Sequence, residues 1–123
     1  GPYVQYTHAR ACSVLRRGDV DLENPNFADI DYSLLTDKGS VDVMKAIAKL
    51  PGVIEEAANK YEPSFIARFA VEVSQAFNKF YHDNPILVDD ENLKNTRLAV
   101  VAAAKYAIEN ALSLLGIYAP EQM

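Results

Sequence analysis

An irregular bundle of α-helices is the fold class that this 123-residue sequence predicts, and three observations predict it. Apolar residues recur at three- and four-residue spacing through most of the chain, and no strand-like alternation of useful length interrupts them. Half of the residues are apolar, enough for a real core in one domain of ordinary size. Six prolines and five glycines leave room for long helices. The chain therefore reads as a single all-α domain over residues 1–123, without internal repeats or low-complexity tracts.

The elements follow in order. Pro2 stands where a first-turn proline is tolerated, and a helix is expected from Tyr3 to Arg17, ended by Gly18. Residues 18–39 form a long connection punctuated by Asn24, Pro25, Asn26 and Gly39. Its Phe27, Ile30, Tyr32, Leu34 and Leu35 predict that it packs on the bundle rather than hanging as a linker. Ser40 is the candidate N-cap of a helix to about Leu50, with Val43, Ile47 and Leu50 at helical spacing. Pro51 and Gly52 break or kink the chain. A further segment to Tyr61 places Val53, Ile54, Ala57, Ala58 and Tyr61 on one face. The next helix, 63–83, has the clearest stripe: Ile66, Phe69, Ala70, Val73, Phe77, Phe80 and Tyr81, with Arg68, Glu72, Gln75 and Lys79 opposite. Asn84-Pro85 closes it. Asp89, Asp90 and Glu91 set negative charge at the start of a helix from about Glu91 to Leu115, stopped by Gly116 and Pro120. Apolar most of the way round and rich in alanine, that last helix is expected to be central and the most buried.

Composition excludes several classes. The longest apolar run, Leu98 to Ala104, is far short of the roughly 18–20 residues that span a bilayer, so no membrane association is expected. The N-terminus lacks the order of a secretion signal. One cysteine, Cys12, excludes an internal disulfide framework and suits a reducing compartment. With Cys12, His8 and His82 far apart, a closed zinc site is excluded too. The net charge of −5 is local: six acids and no base lie between Asp19 and Asp37, which leaves the rest of the chain at +1. A nucleic-acid face elsewhere is thus allowed. No phosphate loop, nucleophile elbow or zinc helix is present, so the chain alone is expected to be neither catalytic nor cofactor-dependent. His8 and His82 read as surface or capping residues, and Cys12 as a small packing residue.

The first helix carries more information. At about 100° per residue, Tyr3, Tyr6, Arg10, Ser13 and Arg17 share one sector, while Val4, Ala11 and Leu15 face elsewhere. Two tyrosines and two arginines on one polar face can stack on bases and hold phosphates. The other reading is a tyrosine-faced helix packed on a neighbour, its arginines reaching to water. Phe77 and Tyr81 lie four residues apart near the end of helix 63–83, with Asn78 between them. They belong to the core stripe, yet Tyr81 is the member best suited to face a ligand.

These residues also resemble a known family. Pro2-Tyr3-Val4-Gln5-Tyr6-Thr7-His8-Ala9-Arg10 is similar to the helix that opens the C-terminal anticodon-binding domain, of the DALR type, in arginyl-tRNA synthetases, which are class I aminoacyl-tRNA synthetases. Phe77-Asn78-Lys79-Phe80-Tyr81 with Asn84-Pro85, Arg97-Leu98-Ala99, and Leu114-Leu115-Gly116-Ile117-Tyr118-Ala119-Pro120-Glu121-Gln122-Met123 resemble later blocks of that domain, in the same order. Glu91-Asn92-Leu93-Lys94 stands where the family has Asp-Ala-Leu-Arg and keeps only the leucine and the charge types.

The resemblance implies a helical domain that binds the anticodon loop of arginine tRNA. It implies a C-terminal fragment of a longer cytoplasmic synthetase, whose catalytic domain joins arginine to tRNA with ATP and magnesium. The family's His-x-Gly-His and Lys-Met-Ser-Lys-Ser type motifs do not occur in these residues. Carried over by position, Tyr3, Tyr6, Arg10, Phe77, Tyr81 and Met123 are implied anticodon-binding residues. Asn78 is added from geometry, and Arg17 as a phosphate contact. Every arginine anticodon has C in the middle, so a pocket for one flipped cytosine is what such a domain requires. The alternatives are the related domain of another synthetase, such as the cysteinyl enzyme, or a helical protein-interaction module whose partner surface is segment 19–37.

Overall fold

The structure, a computed structural model, describes residues 2–27, 30–117 and 121. Five α-helices follow one another: α1 (Pro2–Arg17), α2 (Lys38–Ala48), α3 (Leu50–Lys60), α4 (Ser64–Asp83) and α5 (Glu91–Leu114), with a 3₁₀ turn at Tyr32–Leu34. No strand occurs among the described residues. The long helices α4 and α5 pack together, α1 and α2 each rest on both, and α3 lies along α4.

Local chemistry sets the boundaries. Pro2 opens α1, where its missing N–H costs nothing. The helix ends beyond Arg17 with Asp19 in the left-handed region (φ +61°), and Gly18 fits where the chain runs against α5, since a Cβ there would sit 2.8 Å from both methyls of Leu98. Asp37, rather than Ser40, caps α2; its carboxylate accepts from the Ser40 N–H at 2.8 Å and from the Ser40 hydroxyl at 2.8 Å. An Asp three residues ahead of a Ser satisfies two donors at once, which moves the helix start back to Lys38. The interruption after α2 is the single residue Lys49, and Pro51 sits in the first turn of α3 instead of breaking it. Asp90 caps α5 by accepting from the N–H groups of Asn92 and Leu93, with Glu91 in the first turn. At the other end Ile117 N–H returns to the Leu112 carbonyl at 2.8 Å, with Gly116 at φ +72°. That closure needs the left-handed conformation glycine supplies.

The predicted stripe of α4 is the core: Phe69, Phe77 and Phe80 are buried with Ile66, Ala70 and Val73, while Arg68, Glu72, Gln75 and Lys79 face outward. Burying each phenylalanine contributes about 1.5–3 kcal/mol. Helix α5 supplies the most buried residues, eleven of 24, and packs on α1, α2 and α4. By share, however, α1 is at least as enclosed, with eight of its 16 residues buried. Its inner face is filled by Ala11, Cys12, Val14 and Leu15, so a short helix is covered on two sides at once.

Two further expectations change. Tyr61 is not on a buried face: it caps α3 in the left-handed region (φ +51°), which turns its side chain out to 93% exposure, and Ile54 and Ala58 are exposed as well. His8 is not a surface residue but is only 1% exposed, between α1 and α5, its Nε2 3.5 Å from Glu109 Oε2. The 18–39 connection packs on the bundle as expected. Val20, Leu22, Phe27 and Leu35 lie against the core, the Tyr106 hydroxyl donates to the Leu22 carbonyl, and Asp31 N–H donates to Thr96.

Candidate nucleic-acid interface

The outer face of α1 meets α4 along a seam whose centre is Asn78. Its amide Nδ2 donates to the Tyr3 hydroxyl at 3.1 Å and to the Thr7 hydroxyl at 2.9 Å. Its Oδ1 accepts from Arg10 Nη1 at 2.9 Å. Thr7 in turn donates to the Tyr3 carbonyl one turn earlier. Both amide hydrogens and one lone pair of Asn78 are thereby engaged, fixing the position of a tyrosine and an arginine from the neighbouring helix.

Around this node lies an open cavity of about 670 Å³, lined by Tyr3, Tyr6, Thr7, Ala9, Arg10, Ser13, Arg16, Asn78 and Glu121. The rings of Tyr3 and Tyr6 are 46% and 57% exposed, so each offers a face to solvent. Arg16 closes one end, donating to the Glu121 carbonyl at 3.2 Å and pairing with its carboxylate at 3.3 Å. Glu121 thus lies against α1 at the rim of the cavity. Two aromatic faces, a guanidinium held in place and an amide are what a planar, hydrogen-bonding ring needs for stacking and edge contacts.

The predicted site residues do not all fall together. Tyr3, Tyr6, Arg10 and Asn78 share the cavity, and Asn78, added to the set from geometry alone, is its hub. Tyr81 stands on the far side of Arg10, whose guanidinium lies 5.0 Å from its ring centre. Phe77 is completely buried; its ring stacks beneath Tyr81 at 6.1 Å and 20°, so it supports that tyrosine instead of presenting a surface. Arg17 lines a separate groove beside Tyr81. Met123 lies outside the described residues. Sequence reasoning missed Thr7, Arg16 and Glu121. Tyr6, Ala9, Ser13 and Arg16 run along one edge of α1 at three- and four-residue steps, and that spacing would have found Arg16.

Behind the site, the inner side of α1 holds a second polar group. Lys105, 4% exposed, pairs with Glu109 at 3.0 Å, and Cys12 Sγ lies 3.9 Å from His8 Nδ1. Burial pushes the Cys12 thiol up from its ordinary range. Burial also acts to raise Glu109, but the Lys105 ammonium and His8 outweigh it and hold the carboxyl below its usual value. Among the described residues, no three His, Cys, Asp or Glu side chains are grouped so as to hold a metal ion. No helix of the described residues is long and apolar enough to cross a membrane.

Comparison with known proteins places the chain in a family. Residues 4–123 match the DALR anticodon binding domain family. The chain is 51% identical over its whole length to an arginine–tRNA ligase of Clostridioides difficile, and 54% identical to one of Alkaliphilus metalliredigens. Its fold superposes on Thermus thermophilus arginyl-tRNA synthetase with a TM-score of 0.87 at 29% identity, over all of this chain. In each case the chain spans 21% of the length of the matched protein.

Proposed function

The chain belongs to the DALR anticodon binding domain family, and from that membership we propose that it reads the anticodon loop of arginine tRNA for a longer arginine–tRNA ligase. In this reading the cavity between α1 and α4 takes the middle cytosine of the anticodon. Tyr3 and Tyr6 stack on the base, and Arg10, fixed by Asn78, contacts its edge or phosphate. Tyr81 holds Arg10 from the other side over Phe77, and Met123 is a further base contact in this reading, carried over from the family resemblance. The observation that supports the proposal is the Asn78 node, which holds Tyr3 and Arg10 in fixed positions beside the exposed Tyr6. Such preorganisation lowers the entropy lost on binding.

Aminoacylation, with ATP and magnesium, belongs to the catalytic domain of the parent, and the cytoplasm is where the parent works. The related arginine enzymes support arginine over cysteine tRNA as the partner. The test is a titration of the chain with an arginine anticodon-arm hairpin against one changed from C to U at the middle position, over a salt series. Tighter binding of the C hairpin, with affinity falling steeply as salt rises, is expected. Equal binding of both hairpins would remove the pocket assignment, and salt-independent binding would remove the RNA role.

A further inference from the structure

The inner side of α1 rests on a buried charge, an arrangement that apolar residues of similar volume commonly replace without loss of stability. Lys105 of α5 is 4% exposed; its ammonium lies 4.4 Å from the ring centre of Tyr106 and pairs with Glu109, one turn on, at 3.0 Å. Glu109 is half-buried, but the oxygen that makes this pair, Oε2, is shut off from solvent and lies 3.5 Å from His8 Nε2 of α1. The residue before His8 is Thr7, whose hydroxyl accepts from Asn78 of α4. Two consecutive buried residues of α1 are thus joined by polar contacts to two different helices.

Stability does not account for such a group, whereas selecting one packing over its neighbours does. The surfaces around it leave that choice open. In the middle of α1 the buried residues include the small Ala9, Ala11 and Cys12, and α5 buries Ala102, Ala104, Ala107 and Ala111. Small side chains offer few knobs, so apolar contact between such helices is compatible with more than one rotation or axial offset. A charged pair reaching one ring nitrogen is not. We propose that Glu109 is a positioning residue: held by Lys105 and set against His8, it fixes the rotation of α1 on α5 at which Tyr3 and Arg10 meet Asn78. The proposal rests on the anticodon reading for its consequence, discrimination of the middle base. It deepens that reading, because Glu109 is not among the residues that line the cavity.

The experiment combines Lys105→Met with Glu109→Leu in the full chain, which removes both charges and keeps the space filled. The double variant should melt at or above the temperature of the parent chain. The side-chain amide hydrogens of Asn78, which the parent donates to Tyr3 and Thr7, should nonetheless exchange with water several times faster by NMR, with the backbone amides of α4 unchanged. The preference for the C hairpin over the U hairpin should fall about three- to tenfold, with binding of the U hairpin unchanged. If the double variant does not fold, Glu109→Gln, read well below its own melting temperature, should show the same two losses. A parental C-over-U ratio in a folded variant would overturn the proposal. So would faster exchange spread evenly over the whole core, the mark of a group that only stabilises. A parent chain with no preference between the hairpins would strike the anticodon reading, and the Asn78 exchange would still judge Glu109: faster in the variant upholds its positioning role, and a parental rate overturns it.

Discussion

Arg10 and Tyr81 face each other across the seam between α1 and α4, the guanidinium 5.0 Å from the ring centre, while the same group donates to Asn78 at 2.9 Å. A planar cation can do both at once; a lysine ammonium has no flat face and no fork. Arg10→Lys should therefore behave nearly as Arg10→Ala, each weakening the C hairpin by about 1–2 kcal/mol. Recovery of parental affinity by the lysine variant would show that charge alone is needed.

Asn78→Ala should have a compound effect. It frees Arg10 and the Tyr3 hydroxyl together and leaves the 3%-exposed Thr7 hydroxyl without its α4 donor. The cost to stability should be about 1–2 kcal/mol, read from denaturant titration, and discrimination between C and U should fall as well. A stability loss with discrimination intact would reduce Asn78 to a helix-packing residue.

The aromatic residues should divide into two groups. Tyr3→Ala and Tyr6→Ala remove exposed rings, so each should cost about 1–3 kcal/mol of binding to the C hairpin with little change in melting temperature. Phe77→Ala empties a fully buried site and should cost about 3–5 kcal/mol of folding stability. A melting temperature lowered as much by Tyr3→Ala as by Phe77→Ala would contradict this division.

The Lys105–Glu109–His8 group predicts an acid limb in the stability profile. Because Glu109 titrates below its unfolded value when folded, its contribution is fully present above about pH 4.3, the unfolded range. It is lost as pH falls through the lower folded value. Glu109→Gln should flatten that limb. At neutral pH it should also lower stability by about 1–3 kcal/mol, since Lys105 would stay buried without its carboxylate. An unchanged acid limb in the variant would assign the limb to other carboxylates.

Cys12 has no exposed surface, and burial raises its thiol. It should therefore react with a thiol reagent at neutral pH only at the rate of local or global opening, slowing as the protein is stabilised and accelerating in denaturant. Immediate stoichiometric labelling of the folded chain would contradict the packing of α1 on α5.

Helices and their stripes were legible because their spacing is a local property: the core of α4 from Ile66 to Phe80 can be read directly from the periodicity. Caps were less so. Asp37 and Ser40 are both good cap residues, and only the backbone shows which one faces the helix end. Tyr3, Tyr6 and Arg10 could be grouped from one helix wheel. The role of Asn78 could not, since its three partners come from a helix some seventy residues away in sequence. Tyr81 could be preferred to Phe77 as the ligand-facing ring, but the complete burial of Phe77 depends on packing between helices distant in sequence. His8 shows the opposite failure, a polar residue buried where α1 packs on α5, with Glu109 of that distant helix beside its ring.

The alanine-rich inner side of α5 has a consequence for genetics. Ala104 and Ala111 have no exposed surface, and the helix that carries them packs on α1, α2 and α4. Enlarging either alanine to valine would overfill the core and displace the helices packed on α5, α1 among them, shifting Tyr3 and Arg10 relative to Asn78 without touching any of them. In a selection for lost recognition, mutants should therefore appear at positions that never meet the ligand. Their second-site suppressors should be large-to-small replacements among the buried core residues, and not changes within the pocket.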